Sequence, residues 1–380
     1  MAVSRTADWS QQALPGMLDD LRMIVELETH SYDKAKLDTG LDTIRSWAAE
    51  RLGAPDAEVR HRAETHGDVL ELTYRGTAAG EVLLLCHYDT VWPTGTTAVW
   101  PFTEADGKVS GPGAFDMKLG LVQSVWALRG LRELGLPHPS VKFLFNGDEE
   151  IGSPFSRPLI EAASEGTLAN LVFEAAVDGK LKTARKGVGL FDVTVTGVEA
   201  HAGLDPYKGA SAVHALAEVV TQVAAAGSRE HGTTVNVGTI SGGTGRNVTA
   251  GQATCGIDVR VAEPSEMDRI DAVFAGLKAS DPRVTVSVTG EWNRPPMTTN
   301  PPSAALLDRA RAVAKELGWT LEDAAVGGAS DGNFVSALGR PVLDGMGAVG
   351  GGAHARHEHV VVADIPHRTA LTIGLITDLA

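Results

Sequence analysis

Val82-Leu83-Leu84-Leu85-Cys86-His87-Tyr88-Asp89-Thr90-Val91 is an apolar run that gives way to an imidazole and, two residues on, a carboxylate. An apolar stretch of that length without polar alternation predicts a strand buried on both faces, which needs helices on each side and a largely parallel sheet. Strand-like runs at 68–74 and 141–146, and helical periodicity at 16–28, 42–53 and 117–134, continue the alternation. The expected fold is α/β, a mixed, largely parallel sheet flanked by helices, with functional side chains at the strand ends.

From Gly187 the texture changes. Residues 190–196 alternate, a helical pattern follows at 209–226, and strands are expected at 234–240, 251–261 and 283–289, with a helix at 264–278 before the last. This strand-helix-strand-strand-helix-strand order predicts an inserted α+β, ferredoxin-like domain. The turn-rich stretch Trp292–Pro302 closes it, and a helix at 303–317 resumes the first texture. The expected division is one discontinuous domain, 1–186 with 295–380, and an insert, 187–294.

The 380 residues carry a formal net charge of −15. That excess of acid leaves nothing to neutralise a phosphate backbone or anionic lipid, which argues against nucleic acid and membrane surfaces as partners and for a small substrate. Two cysteines, Cys86 and Cys255, make no disulfide framework, so a reducing cytoplasm is expected. The opening residues lack the apolar core of a signal peptide, and no stretch reads as a membrane span.

His87 and Asp89 share one side of the chain as it leaves the sheet, as a metal-binding imidazole and the carboxylate that holds its other N–H would. The bland alternative is a satisfied histidine beside a helix N-cap. In Gly111-Pro112-Gly113-Ala114-Phe115-Asp116-Met117-Lys118 a carboxylate stands where a loop of small residues enters a helix, so Asp116 reads as N-cap, as ligand, or as both. Asp148, Glu149 and Glu150 crowd the end of strand 141–146, and like charges so close call for a cation among them. Glu149 and Glu150 would diverge on an extended chain, letting one bind a metal and the other act as general base on a water. Glu174, inside the apolar Leu171-Val172-Phe173-Glu174-Ala175, also requires a cation. His354 follows three glycines that let it approach a buried centre, while His357 and His359 read either as solvated loop residues or as further donors. The histidines and carboxylates together suit two zinc-type ions; Asp116, Glu150 and Glu174 with one hydroxide would balance their charge, leaving Glu149 to shuttle protons.

These motifs, in order over residues 80–360, resemble the metal-site motifs of the dinuclear zinc superfamily of aminoacylases, acetylornithine deacetylases, succinyl-diaminopimelate desuccinylases and carboxypeptidases. Ala200-His201-Ala202-Gly203 and Gly242-Gly243-Thr244-Gly245-Arg246-Asn247 resemble its lid signatures, and within it the nearest resemblance is to bacterial glutamate carboxypeptidases, which release C-terminal glutamate from folates. The resemblance implies two Zn2+ per subunit, with Co2+ or Mn2+ as substitutes. His87 and Glu174 would hold one ion, Glu150 and His354 the other, with Asp116 bridging, Asp89 orienting His87, and Glu149 as base and then acid. It makes 187–294 a lid and dimerisation domain, and implies that His201 reaches the developing oxyanion from the partner subunit of a homodimer. Arg260, Arg294 and Asn247 resemble residues that grip the carboxylates of a terminal glutamate, with a surface salt bridge as the bland reading of either arginine. Gly328 belongs to a stretch, Gly327-Gly328-Ala329-Ser330-Asp331-Gly332, that resembles a substrate-facing loop, with an alanine where a hydroxyl residue is common.

The implied activity is hydrolysis of an amide that frees a C-terminal amino acid, glutamate foremost, from a small peptide, an N-acyl amino acid or a folate-like conjugate. An N-acyl amino acid hydrolase or a desuccinylase would use the same centre, the lid deciding among them. A non-catalytic relative would tolerate loss of a ligand or base, and none is missing. Gly345-Met346-Gly347-Ala348-Val349-Gly350 also fits the dinucleotide pattern G-x-G-x-x-G, so a NAD-dependent oxidoreductase is the distant alternative; it requires those glycines to open a helix.

Overall fold

The computed structural model describes the backbone from Ala2 to Ala380, and side chains from Arg5 onward. The chain forms two compact units, one running to Ala184 and including Thr299–Val326 and Ser330–Ala380, the other Arg185–Thr298 with Gly327–Ala329.

In the first unit, β1 (Ala57–His61), β2 (Val69–Tyr74), β3 (Glu81–His87), β4 (Ser140–Asn146), β5 (Ala169–Val172) and the short strand Val342–Leu343 form one sheet, in spatial order β1-β2-β4-β3-β5 and then Val342–Leu343. β3 runs parallel to β4 and to β5, whereas β2 is antiparallel to both β1 and β4. The sheet is mixed and largely parallel, as the apolar run at β3 predicts. Val82, Leu84 and Cys86 join a core that contains Leu41, Val125 and Ile373 from three helices, while Leu83 and Leu85 point to the other face and are equally buried. A second, four-stranded antiparallel sheet, which the sequence reading does not anticipate, joins Gly350–Gly351, His359–Val361, Lys108–Ser110 and Thr103–Ala105.

Two helices differ from expectation in their starts. The first spans Ala2–Val25 rather than 16–28, running through Pro15, which lacks a backbone donor and crowds the carbonyl one turn earlier. Tertiary packing compensates: a Cβ on Gly16 would meet the Trp126 ring at 2.6 Å, so this turn is pressed against the helix Leu119–Glu133. The second spans Lys34–Leu52 rather than 42–53, because the Asp33 side chain accepts the Lys36 N–H and caps it.

In the second unit, β6 (Gly187–Thr196), β7 (Thr234–Gly242), β8 (Gln252–Val261) and β9 (Thr285–Arg294) make an antiparallel sheet in the order β7-β8-β6-β9. Helices Ala212–Ala224 and Pro264–Ala275 supply Val219 and Phe274 to a core with Val193, Val195 and Ile257. The unit is tied off by reciprocal backbone bonds between Arg185 and Met297, each 3.0 Å.

Close packing between Leu119–Glu133 and the segment after β5 rests on Gly120, where a Cβ would stand 1.9 Å from the Phe173 carbonyl oxygen. Gly120→Ala should therefore destabilise the first unit by about 1–3 kcal/mol, seen as a lower urea midpoint. An unchanged midpoint would mean that the contact is absent.

Candidate metal centre

Parallel neighbours end at the same edge of a sheet, so β3, β4 and β5 deliver their C-terminal residues to one place. His87 ends β3 opposite Asn146 of β4, and Leu85 is opposite Val172 of β5. The turn carrying Glu149 and Glu150 follows β4, and Glu174 lies two residues past β5. Asp116 and His354 arrive through the second sheet, whose pairing of His359 with Ser110 draws the two donor loops together.

The resulting cluster is arranged about Asp116. His87 Nε2 lies 3.4 Å from Asp116 Oδ1 and 3.3 Å from Glu174 Oε1. His354 Nε2 lies 3.4 Å from Asp116 Oδ2 and 3.0 Å from Glu150 Oε2. Glu149 offers an oxygen in a group with His87 and Glu174 whose ligand atoms all fall within 4.8 Å of one another. The structure thus brings together all six of these sequence-derived residues, with His87, Glu174 and Glu149 on one side of Asp116 and His354 and Glu150 on the other. The N-cap reading of Asp116 fails: the regular helix starts at Leu119, its cap position is Lys118, and no side chain caps it.

The electrostatics are those of a site short of positive charge. Burial and the Asp116 charge push the Glu150 carboxyl up to about 7. Burial alone would discharge His87, yet the carboxylates of Asp116, Asp89 and Glu174 outweigh it and raise its pKa well above the usual imidazole range. His354 is raised to about 11 by its bonds to Asp116 and Glu150. Among the described residues, His87 Nε2 and Glu150 Oε1 are buried with no hydrogen-bond partner. Imidazole nitrogens and carboxylate oxygens, two of them orphaned and facing a common point, fit divalent ions of the zinc class.

Asp89 does more than orient His87. The His87 Nδ1 contact is to the Asp89 carbonyl oxygen at 3.1 Å, with the carboxylate at 3.4 Å. The carboxylate instead accepts the backbone N–H groups of Glu149 and Glu150, each at 3.2 Å, and the Ser31 hydroxyl at 2.8 Å. Asp148 turns away to cap Phe155 and Ser156. His357 is exposed, and His359 is a strand residue bonded to the His357 carbonyl.

The remaining expected residues lie in the second unit. His201 is exposed, and its Nδ1 accepts the N–H groups of Gly203 and Leu204, both at 3.1 Å, which puts the proton of the neutral ring on Nε2. Asn247 is its neighbour, the Asn247 carbonyl accepting the Ala202 N–H at 2.9 Å. Arg260 makes the bland salt bridge, bidentate to Asp258 at 2.8 Å. Arg294 does not sit in an exposed linker; it ends β9, buried, after a bulge between Trp292 and Arg294. Gly328 belongs to the segment that clusters with this unit, its carbonyl held by Arg185 at 3.2 Å.

The dinucleotide alternative is overturned. No helix opens at these glycines; the segment zips onto the chain after β5 through Met346 N–H to Val172 O and Gly347 N–H to Glu174 O, then extends into the strand Gly350–Gly351. Its glycines serve that close approach, a Cβ on Gly347 falling 2.2 Å from Phe173 O. Sequence reasoning missed two buried acids. Asp331 accepts Asn146 Nδ2 at 2.8 Å and Ser153 Oγ at 2.5 Å, bracing the turn of Glu149 and Glu150, and Glu358 lies beneath the Asp116 loop. Neither has a local signal, since their partners are distant in sequence.

A sheet that gathers imidazoles and carboxylates at its carboxyl edge fits a metal-dependent protein of the α/β class. The model of peptidase family M20/M25/M40 matches residues 83–378, and the chain belongs to that family. It is 29% identical to carboxypeptidase G2 of Pseudomonas sp. (strain RS-16) over 380 aligned positions, covering 96% of this chain and 89% of the relative. It is 30% identical to succinyl-diaminopimelate desuccinylase of Burkholderia orbicola (strain MC0-3), covering 82% and 87%. Among solved structures, aminopeptidase PepT of Bacillus cereus ATCC 10987 superposes with a TM-score of 0.78 at 19% identity, covering 96% of this chain and 98% of the other. An M20 family metallo-carboxypeptidase of Sulfolobus solfataricus gives 0.73 at 18%, covering 94% and 98%. The fold is that of the family, and the protein is a hydrolase. Among the described residues no helix is long and apolar enough to cross a membrane.

Asp89→Ala would strand two backbone N–H groups in the turn of Glu149 and Glu150. It should weaken divalent-metal binding about 10–100-fold, read by calorimetric titration of the metal-stripped protein; unaltered affinity would remove Asp89 from the site's support.

Proposed function

We propose that this chain is a dinuclear zinc carboxypeptidase that hydrolyses an amide bond to release a C-terminal amino acid, glutamate foremost, from a small peptide, an N-acyl amino acid or a folate-like conjugate. The observation that carries the reading is the pairing of His87 with Glu174 and of His354 with Glu150 on either side of Asp116. In this reading His87 and Glu174 would hold one ion, His354 and Glu150 the second, and Asp116 would serve both. Bound there, the ions would polarise the scissile carbonyl and make a water acidic enough to attack it at neutral pH.

Glu149 takes the proton from the attacking water and passes it to the leaving amine nitrogen, so that the C–N bond breaks with a neutral amine departing. Its main-chain N–H is anchored on Asp89, which supports this role by fixing where the side chain begins. His201 donates from Nε2 to the developing oxyanion, delivered by the partner subunit of a homodimer; an open-edge strand, β7, in the inserted unit supports association through that unit. Arg260, Arg294 and Asn247 take the substrate's free carboxylates, guanidinium forks suiting that group. The two cysteines are free and buried, which supports a reducing, cytoplasmic setting.

A desuccinylase is the second reading, favoured by the 30% identity to an enzyme of that name. A panel of N-acyl-glutamates, a folate-like glutamate conjugate and a succinylated diamine separates the two. Cleavage of the glutamate compounds is expected, abolished by chelator and restored by Zn2+; turnover confined to the succinylated diamine would select the second reading. Glu149→Ala should lower turnover about 10²–10⁴-fold with its bound metal unchanged by elemental analysis. Full activity in that variant would rule out a general-base role.

A further inference from the structure

We infer that Glu358 is a positioning residue that sets the Asp116 carboxylate and the His354 imidazole for metal binding, an inference that rests on the reading of Asp116 and His354 as ligands. Glu358 is fully buried. Its Oε1 accepts the N–H groups of Phe115 at 2.9 Å and Asp116 at 3.1 Å, and its Oε2 accepts those of Gly113 at 3.2 Å and the Trp92 indole at 3.0 Å. All four partners donate, which is how an ionised carboxylate is satisfied out of water.

Three of those donors come from one short loop. Gly113 is left-handed at φ 74° and ψ 9°, a conformation that curls successive N–H groups toward one point and makes an anion-binding concavity. The anion it holds is a side chain of this protein. Asp116 supplies the last N–H of the concavity, so the bond that anchors its backbone also fixes the direction from which its carboxylate reaches His87 and His354.

The same residue restrains the His354 loop. Ala355 N–H bonds Gly352 O and Glu358 N–H bonds Ala355 O, both at 2.9 Å, so His354 lies in the first of two consecutive turns, the second of which ends at Glu358. The Glu358 carbonyl accepts the Ser110 hydroxyl at 2.7 Å. Above this, the Arg356 guanidinium lies 5.2 Å from the Trp92 ring centre, covering the indole whose N–H reaches Glu358. One carboxylate therefore joins the segment after β3, the Asp116 loop and the His354 loop.

Glu358→Gln keeps the shape but turns one acceptor into a donor facing donors. Zinc affinity is measured by competition with a chromophoric chelator, alongside the urea midpoint of the metal-stripped proteins. The variant is expected to bind zinc about 10–100-fold more weakly than the parent, beyond any change in midpoint. Trp92→Phe, which removes one donor of four, is expected to lose on the order of threefold, and it decides the matter if Glu358→Gln does not fold. Parent-like zinc affinity in the folded Glu358→Gln protein, or in Trp92→Phe where that variant decides, overturns the inference while leaving the metal reading intact. A parent protein that binds no zinc overturns the metal reading and this inference with it.

Discussion

Negative charge removed from water must be answered by something nearby, and the first unit is organised around two different answers. Asp89, Asp331 and Glu358 are buried and supplied with N–H and O–H donors from this chain. Asp116, Glu150 and Glu174 face imidazoles instead, and burial with mutual repulsion drives the Glu150 carboxyl up. The donor-satisfied acids form the scaffold, and the group around Asp116 is the one that a divalent cation would complete.

This division depends on backbone precision more than on side-chain chemistry. The end of β5 is gripped from two directions by glycines, Gly120 and Gly347, both too close to the Phe173 carbonyl to carry a Cβ. Glu174, the next residue, inherits that fixed position. On the opposite side, the left-handed Gly113 shapes the loop that presents Asp116, and Glu358 fills it. Metal ligation tolerates errors of only a few tenths of an ångström, so an acidic centre of this kind needs its supporting loops locked before any ion arrives.

The second unit is built on other principles. Its sheet has one face against two helices and the other bearing polar residues such as Asp258 and Arg260, the pattern of a half-covered antiparallel sheet. A unit with its own core can vary the residues on its uncovered sheet face without disturbing the cluster at the end of β3, β4 and β5. Amide hydrolases of one chemistry and several specificities follow from that separation.

Much of this was legible in the residues themselves. The unbroken apolar run of β3 identified the sheet, because only a strand covered on both sides dispenses with alternation; Glu149 and Glu150 crowded at the end of β4, and Glu174 among apolar neighbours, marked the candidate site, because acids so placed call for donors or a cation beside them. The order of elements in the insert was readable from periodicity for the same local reason. Tertiary structure alone decided that Asp116 is no helix cap, that Arg294 is buried, that the glycines at 345–350 support Glu174, and that Glu358 holds the Asp116 loop. Each of these is settled by a partner tens to hundreds of residues away, as Glu358 lies 242 positions from Asp116. Local sequence encodes propensity and pattern, whereas the partner of a buried polar group is chosen only when distant segments pack together.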